Sequence, residues 1–172
     1  MIIGIPAEIR INEKRVAATP ETIKKLAAQH EVCVQAGAGS GASIPDSEFT
    51  AAGATLAVNA AEVYEKSDVV FKVRLPENSE ISMLRAGSAL IGLLEPHRPE
   101  GIEAIARQGA TGFSLERLPR ISRAQSMDVL SSQANIGGYK AVTLAADRYQ
   151  RFFPMLMTAA GTVKAARVLV LG

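Results

Sequence analysis

Hydrophobic positions along the chain follow two alternating rhythms. The runs MIIGIPA, HEVCVQA, ATLAV, DVVFKVRL, SALIGLL and ATGFSLE are short, apolar and rich in β-branched residues, which predicts strands. Between them PETIKKLAAQ, PDSEFTAAG, NAAEVYEKS, SEISMLRAG and RPEGIEAIARQG carry helical spacing, several opened by Pro, Asn or Ser and closed near Gly. Strand and helix in strict alternation predict a doubly wound, mostly parallel sheet covered by helices on both faces, a Rossmann-like α/β domain over residues 1–120. From Arg120 the pattern changes. Residues 121–164 read as a loop, then one helix of about six turns loosened at Gly137 and Gly138, then a second loop, FFPMLMTAAGT. Residues 165–172 close with ARVLVLG, which has the form of a buried first strand arriving at Gly172. Strand, Gly-x-Gly-x-x-Gly, helix is the arrangement that brings backbone N–H groups to a dinucleotide pyrophosphate. Gly172 fits its first glycine, so the chain reads as a piece cut at the start of a nucleotide-binding domain.

Composition sharpens this picture by exclusion. The chain is 48% hydrophobic and 21% charged, which fits an ordered globular protein. Its 19 basic and 17 acidic residues are scattered, and no basic stripe suited to nucleic acid exists. A single cysteine, Cys33, lies within an apolar run and reads as a small buried hydrophobe. No run approaches the roughly 20 apolar residues of a membrane-spanning helix, and MIIGIPAEIR lacks the form of an export signal. A cytoplasmic location is expected.

Candidate chemistry concentrates in a few places. Gly37, Gly39 and Gly41 have the wrong spacing for a dinucleotide fingerprint and predict a tight turn with positive φ. Gln125, Asp128, Ser131, Ser132 and Asn135 recur at three- and four-residue steps, within an arc of roughly 120° on a helix. Amides, hydroxyls and a carboxylate so placed suit a carboxamide or ribose, with Arg120 and Arg123 ahead of them suited to a phosphate. From pattern alone this face reads first as the solvated side of an amphipathic helix. Arg15, Lys72 and Arg74 form a second basic group, either an anion site at a strand end or separate surface charges. His30 and His97 have no partner spacing for a metal or a triad and are expected at the surface. The chain has no HExxH, CxxC, G-x-S-x-G or Walker loop, which disfavours metal-dependent and hydrolytic chemistry. Hydride transfer, in which a cofactor supplies the chemistry, needs none of them.

The segments GIPAEIRINEKRVAATPETIKKL, VQAGAGSGASIPDSEF and SDVVFKVRLP resemble the N-terminal domain shared by alanine dehydrogenases and proton-translocating nicotinamide nucleotide transhydrogenases. RISRAQSMDVLSSQANIGGYKAV and FFPMLMTAAGT are similar to the transhydrogenase branch in particular. The resemblance covers essentially the whole chain. It implies a component that binds NAD(H) and meets an NADP(H)-binding component and a proton-conducting membrane subunit, peripheral on the inner face of the cell membrane and assembled as a homodimer. It implies that Arg120, Gln125, Asp128 and Ser131 order the nicotinamide, with Gln125 holding the two rings in register, and that Gly172 belongs to the NAD(H) loop. The alanine dehydrogenase branch uses an arginine, a lysine and a histidine on its substrate. Arg15 matches the first, but Arg74 and Glu95 stand at the other two places, and a guanidinium does not replace a titratable amine. Lys164 departs from the proline expected there. Two alternatives stay open: an alanine dehydrogenase-like NAD-dependent enzyme, or a non-catalytic assembly or dimerisation module if the chain is complete.

Overall fold

A computed structural model describes residues 1–171. Two compact units are distinguished, Met1–Met127 and the stretch from Asp128 onward.

In the first unit β1 (Ile2–Ile5), β2 (Glu31–Gln35), β3 (Thr55–Ala57), β4 (Val69–Arg74), β5 (Ala89–Leu93) and β6 (Thr111–Ser114) form one six-stranded sheet in the order β3-β2-β1-β4-β5-β6. Every pairing is parallel. This is the doubly wound arrangement the alternation predicts, and all six strand segments lie where the β-branched runs placed them. The crossovers are α1 (Pro20–Ala27), α2 (Asp46–Ala51), α3 (Ala60–Lys66), α4 (Asn78–Ile81) and α5 (Pro99–Arg107). Helix starts follow the capping signals: the Thr19 hydroxyl accepts from the Thr22 N–H ahead of Pro20, and the Asn59 side chain accepts from the Glu62 N–H. SEISMLRAG was expected to be a full helix, yet α4 stops at Ile81 after 4 residues and turns follow. Its Glu77 and Glu80 form a reciprocal capping box that fixes the start.

Period-two alternation divides the core between the sheet's faces. Ile5, Val32 and Val34 pack with Ile23 of α1 and Phe49 of α2. Cys33, between the two valines, points the other way to Val63 of α3, and burial raises its thiol pKa. On the second half of the sheet Tyr64, Val70, Leu90, Leu94 and Ile105 form a further cluster. Gly4 allows α3 to lie close on β1, since a Cβ there would fall 2.8 Å from Val63 Cγ1 and closer still to the Ser67 hydroxyl. The glycine turn after β2 divides its requirements: Gly37 takes φ +78°, whereas a Cβ at Gly39 would fall 2.5 Å from the Ile44 carbonyl oxygen.

In the second unit α6 (Val129–Arg148) runs 20 residues without a break at Gly137 or Gly138, and none of its residues is buried. FFPMLMTAAGT, expected to be a loop, contains an antiparallel hairpin, β7 (Leu156–Thr158) and β8 (Gly161–Val163). The expected strand over 165–172 is corrected: residues 165–171 join no strand, and Val168 to Leu171 are largely exposed. A first parallel strand draws its hydrogen bonds from strands that follow it, and none follows among the described residues. Gly172 lies outside them. Among the described residues no helix is long and apolar enough to cross a membrane.

Candidate functional site

The strand order reverses direction between β1 and β4, and in doubly wound sheets ligands gather beyond the carboxyl ends of the strands at that point. There the chain leaves β1 through Glu8, Arg10, Glu13 and Arg15, leaves β4 at Arg74, and leaves β5 at Glu95.

Three groups of charge occupy this edge. In the first, the Lys72 ammonium lies 2.8 Å from Glu80 Oε1 and 3.3 Å from Glu8 Oε2, with these three side chains 1%, 4% and 2% exposed. Lys72 also donates to the Ala7 carbonyl at 3.3 Å, Glu8 Oε1 accepts from the Val73 N–H at 2.6 Å, and the Tyr64 hydroxyl donates to Glu80 at 3.2 Å. Two carboxylates sharing one ammonium leave a net negative charge out of water. Burial raises the pKa of Glu8 against the opposing pull of Lys72, and burial together with the Glu80 charge raises that of Tyr64.

In the second group Glu95 receives guanidinium groups from Arg10 at 2.7 Å, Arg74 at 3.0 Å and Arg98 at 3.3 Å. Glu95 sits at φ +50°, unusual for a residue with a Cβ. Its turn is fixed from behind, because the Glu116 carboxylate accepts the N–H groups of Leu94 and Glu95 at 3.1 and 2.9 Å. Burial opposes the ionised Glu116, but the Ser114 hydroxyl and these N–H groups outweigh it and lower its pKa. In the third group Arg15 binds both oxygens of Glu13, at 2.7 and 2.5 Å, and this pairing lowers the Glu13 pKa.

The basic group Arg15, Lys72 and Arg74 therefore does not form one bare anion site: Arg15 pairs with Glu13, Lys72 with Glu8 and Glu80, and Arg74 with Glu95. Lys72 and Arg74 would share a face in a regular strand. An irregularity between Phe71 and Arg74, where three residues of β4 span two of β5, aims them apart. Sequence reasoning missed Glu8, Glu80 and the third partner, Arg98. The EPHR turn was the available signal for the last, since it puts Glu95 and Arg98 three residues apart. His97 is exposed as expected, while His30 is half-buried.

Of the residues singled out near the domain boundary, Arg120, Arg123 and Gln125 are exposed in the first unit, Arg123 and Gln125 within a 3-10 segment, Ser122–Met127. The expected single helical face is corrected, because α6 begins only after Asp128 and Gln125 precedes it. Asp128 is the N-cap of α6: Oδ1 accepts from the Ser131 N–H at 3.0 Å and Oδ2 from the Ser131 hydroxyl at 2.6 Å. The structure thus joins Asp128 to Ser131. Replacing Asp128 by alanine should cost α6 about 1 kcal/mol, visible as lost helical circular dichroism, and Asp128→Asn should retain most of it. An equal loss in both variants would deny the cap its role.

A parallel sheet in this strand order is a Rossmann-like α/β domain, a fold shared by many pyridine-nucleotide oxidoreductases. Residues 4–137 match the family model described as alanine dehydrogenase/PNT, N-terminal domain, and the chain belongs to that family. It is 49% identical, over its whole length, to an NAD(P) transhydrogenase subunit alpha polypeptide of Rhodospirillum rubrum, of which it covers 47%. It superposes on the crystal structure of transhydrogenase from Sinorhizobium meliloti with a TM-score of 0.91 at 50% identity, over 96% of this chain and 50% of that one. With an L-alanine dehydrogenase the TM-score is 0.78 at 27% identity, over 91% of this chain and 44% of the other. The chain spans about half the length of these relatives.

Proposed function

We propose that the full-length protein is the NAD(H)-binding component of a proton-translocating NAD(P) transhydrogenase, in which hydride passes directly between NADH and NADP⁺. The carrying observation is the similarity gap over nearly the whole chain, 50% identity to a transhydrogenase against 27% to an alanine dehydrogenase. Charge supports it: Glu95 is held among arginines, so the mouth of the sheet offers a fixed ion pair rather than a proton acceptor for amino-acid oxidation. The cofactor supplies the hydride chemistry. Arg120, Gln125, Asp128 and Ser131 would orient its nicotinamide end, with the Asp128 to Ser131 bond fixing two of those groups. The described residues contain no Gly-x-Gly-x-x-Gly loop following a strand to take the pyrophosphate.

In this reading the component works as a homodimer, in the cytoplasm, peripheral on the inner face of the membrane, docked on an NADP(H)-binding component and a proton-conducting membrane subunit. The test is reduction of an NAD analogue by NADPH, using the full-length protein mixed with its NADP(H)-binding component. Turnover is expected, and its absence with both cofactors bound would refute the assignment. Alanine dehydrogenase activity is the second reading, favoured by the shared fold and by Arg15 at the place of that branch's arginine. Alanine-dependent NADH formation should be undetectable.

A further inference from the structure

The cluster of Lys72, Glu8 and Glu80 places two negative charges and one positive charge on side chains that are 1%, 2% and 4% exposed. A net negative charge held out of water is costly, and one proton removes it. The two carboxylates are not equivalent. Glu80 is met by three donors: the Lys72 ammonium at 2.8 Å and the Tyr64 hydroxyl at 3.2 Å on Oε1, and the Glu77 N–H at 3.0 Å on Oε2. Glu8 has the Val73 N–H on Oε1 at 2.6 Å. Its buried Oε2 accepts no hydrogen bond among the described residues, and the Lys72 ammonium stands 3.3 Å from it. Donors hold a carboxylate in its charged form, so Glu8 is the less firmly held of the two and Oε2 is its open atom. The groups that face Glu8 are Lys72 from β4, Glu80 from α4 and, beyond Glu80, Tyr64 from α3, with Arg15 acting at longer range from Glu8's own loop.

We propose that this cluster is a proton-binding site, that Glu8 Oε2 is the atom that takes the proton, and that the Val73 N–H carries the change of charge to the irregularity in β4. One proton from solvent adds to Oε2, no bond is broken, and the buried charge goes from minus one to zero. Oε1 then accepts from Val73 as a neutral carboxyl oxygen, in a bond roughly half as strong as one to a carboxylate, and Lys72 is left to Glu80. Val73 lies between Phe71 and Arg74, inside the stretch where the pairing with β5 shifts. The irregularity that aims Lys72 and Arg74 apart is therefore gripped harder when the proton is absent. Burial, which raises the Glu8 pKa, acts in the same direction. The site lies within the first unit and holds whatever reaction the full-length protein carries out.

The test reads both ends of this link by nuclear magnetic resonance, in the full chain labelled with carbon-13 and nitrogen-15 and titrated over the range in which it stays folded. The Glu8 carboxyl carbon and the Val73 amide should titrate together, with one midpoint, at a higher pH than the exposed glutamates of the chain. In Glu8→Gln the Val73 signal should no longer move over that interval. Glu80→Gln leaves Lys72 to Glu8 alone, so the Glu8 midpoint should fall toward that of the exposed glutamates; it serves as the second variant should Glu8→Gln not fold, and the unaltered chain needs no variant. A Glu8 carboxyl that titrates with the exposed glutamates would overturn the proposal. So would a Val73 signal that stays still while Glu8 titrates, or that moves as far in folded Glu8→Gln as in the unaltered chain, or a Glu8 midpoint unchanged in Glu80→Gln.

Discussion

Lys72→Met will destabilise the N-terminal domain by about 3–5 kcal/mol in urea unfolding near neutral pH, because it leaves two buried carboxylates without their shared counter-ion. Methionine retains most of the packing volume, so the loss is electrostatic rather than a cavity effect. The pH dependence separates the two. Burial already raises the Glu8 pKa above the ordinary value of 4.5, and Lys72 is the main force opposing that rise. Without it Glu8 rises further. A group whose folded pKa lies above its unfolded one stabilises the fold fully below the unfolded value and loses that contribution as pH climbs through the folded value. The deficit of Lys72→Met should therefore be small near pH 4 and reach its full size by about pH 8. A second change, Glu8→Gln, should return part of it. A deficit below about 1 kcal/mol, or one constant across this range, would show that the triad is not held as an ionic network.

On the proposed transhydrogenase function, Gln125→Asn in the full-length protein, mixed with an NADP(H)-binding component, should slow hydride transfer by about 10- to 100-fold while NADH binding changes little. One methylene is lost and the amide kept, so a residue that only hydrogen-bonded solvent would tolerate the change. A residue that sets the distance between two rings would not, since a displacement of about an ångström can cost a hundredfold. Exposure of Gln125 on the first unit suits a group that works across an interface. Equal losses in rate and in NADH affinity would assign it to cofactor binding instead, and no loss of either would make it ordinary surface.

The two halves of the chain were unequally legible. In the first, buried parallel strands must be apolar on both faces, and that demand writes itself into the sequence as IIGI, EVCVQ and ALIGL. Caps at Thr19 and Asn59 add local signals. The charge pairs were hidden for the opposite reason. Glu8 and Lys72 are 64 positions apart, Arg10 and Glu95 85, and nothing local to a lysine in FKVR announces that it is buried. The irregularity in β4 that separates Lys72 from Arg74 is likewise a property of pairing, not of composition. Near the boundary the polar pattern was visible. The true start of α6 depends on Asp128 binding back to Ser131, which moves Gln125 off the helix. The hairpin at Leu156 and Val163 escaped notice because its strands of 3 residues are too short to establish a period.

No residue of α6 is buried among the described residues, which bears on the stability of this 172-residue chain when it is studied by itself. A helix of 20 residues with two successive glycines and no covered face is only marginally stable against the coil. Its amide protons should accordingly exchange with solvent through local fraying, orders of magnitude faster than those of β1, β2 and β4, which are released only when the whole sheet gives way. Far-ultraviolet signals would then report two processes at once in any melt, whereas exchange at Val34 or Val70 would time the collapse of the sheet alone.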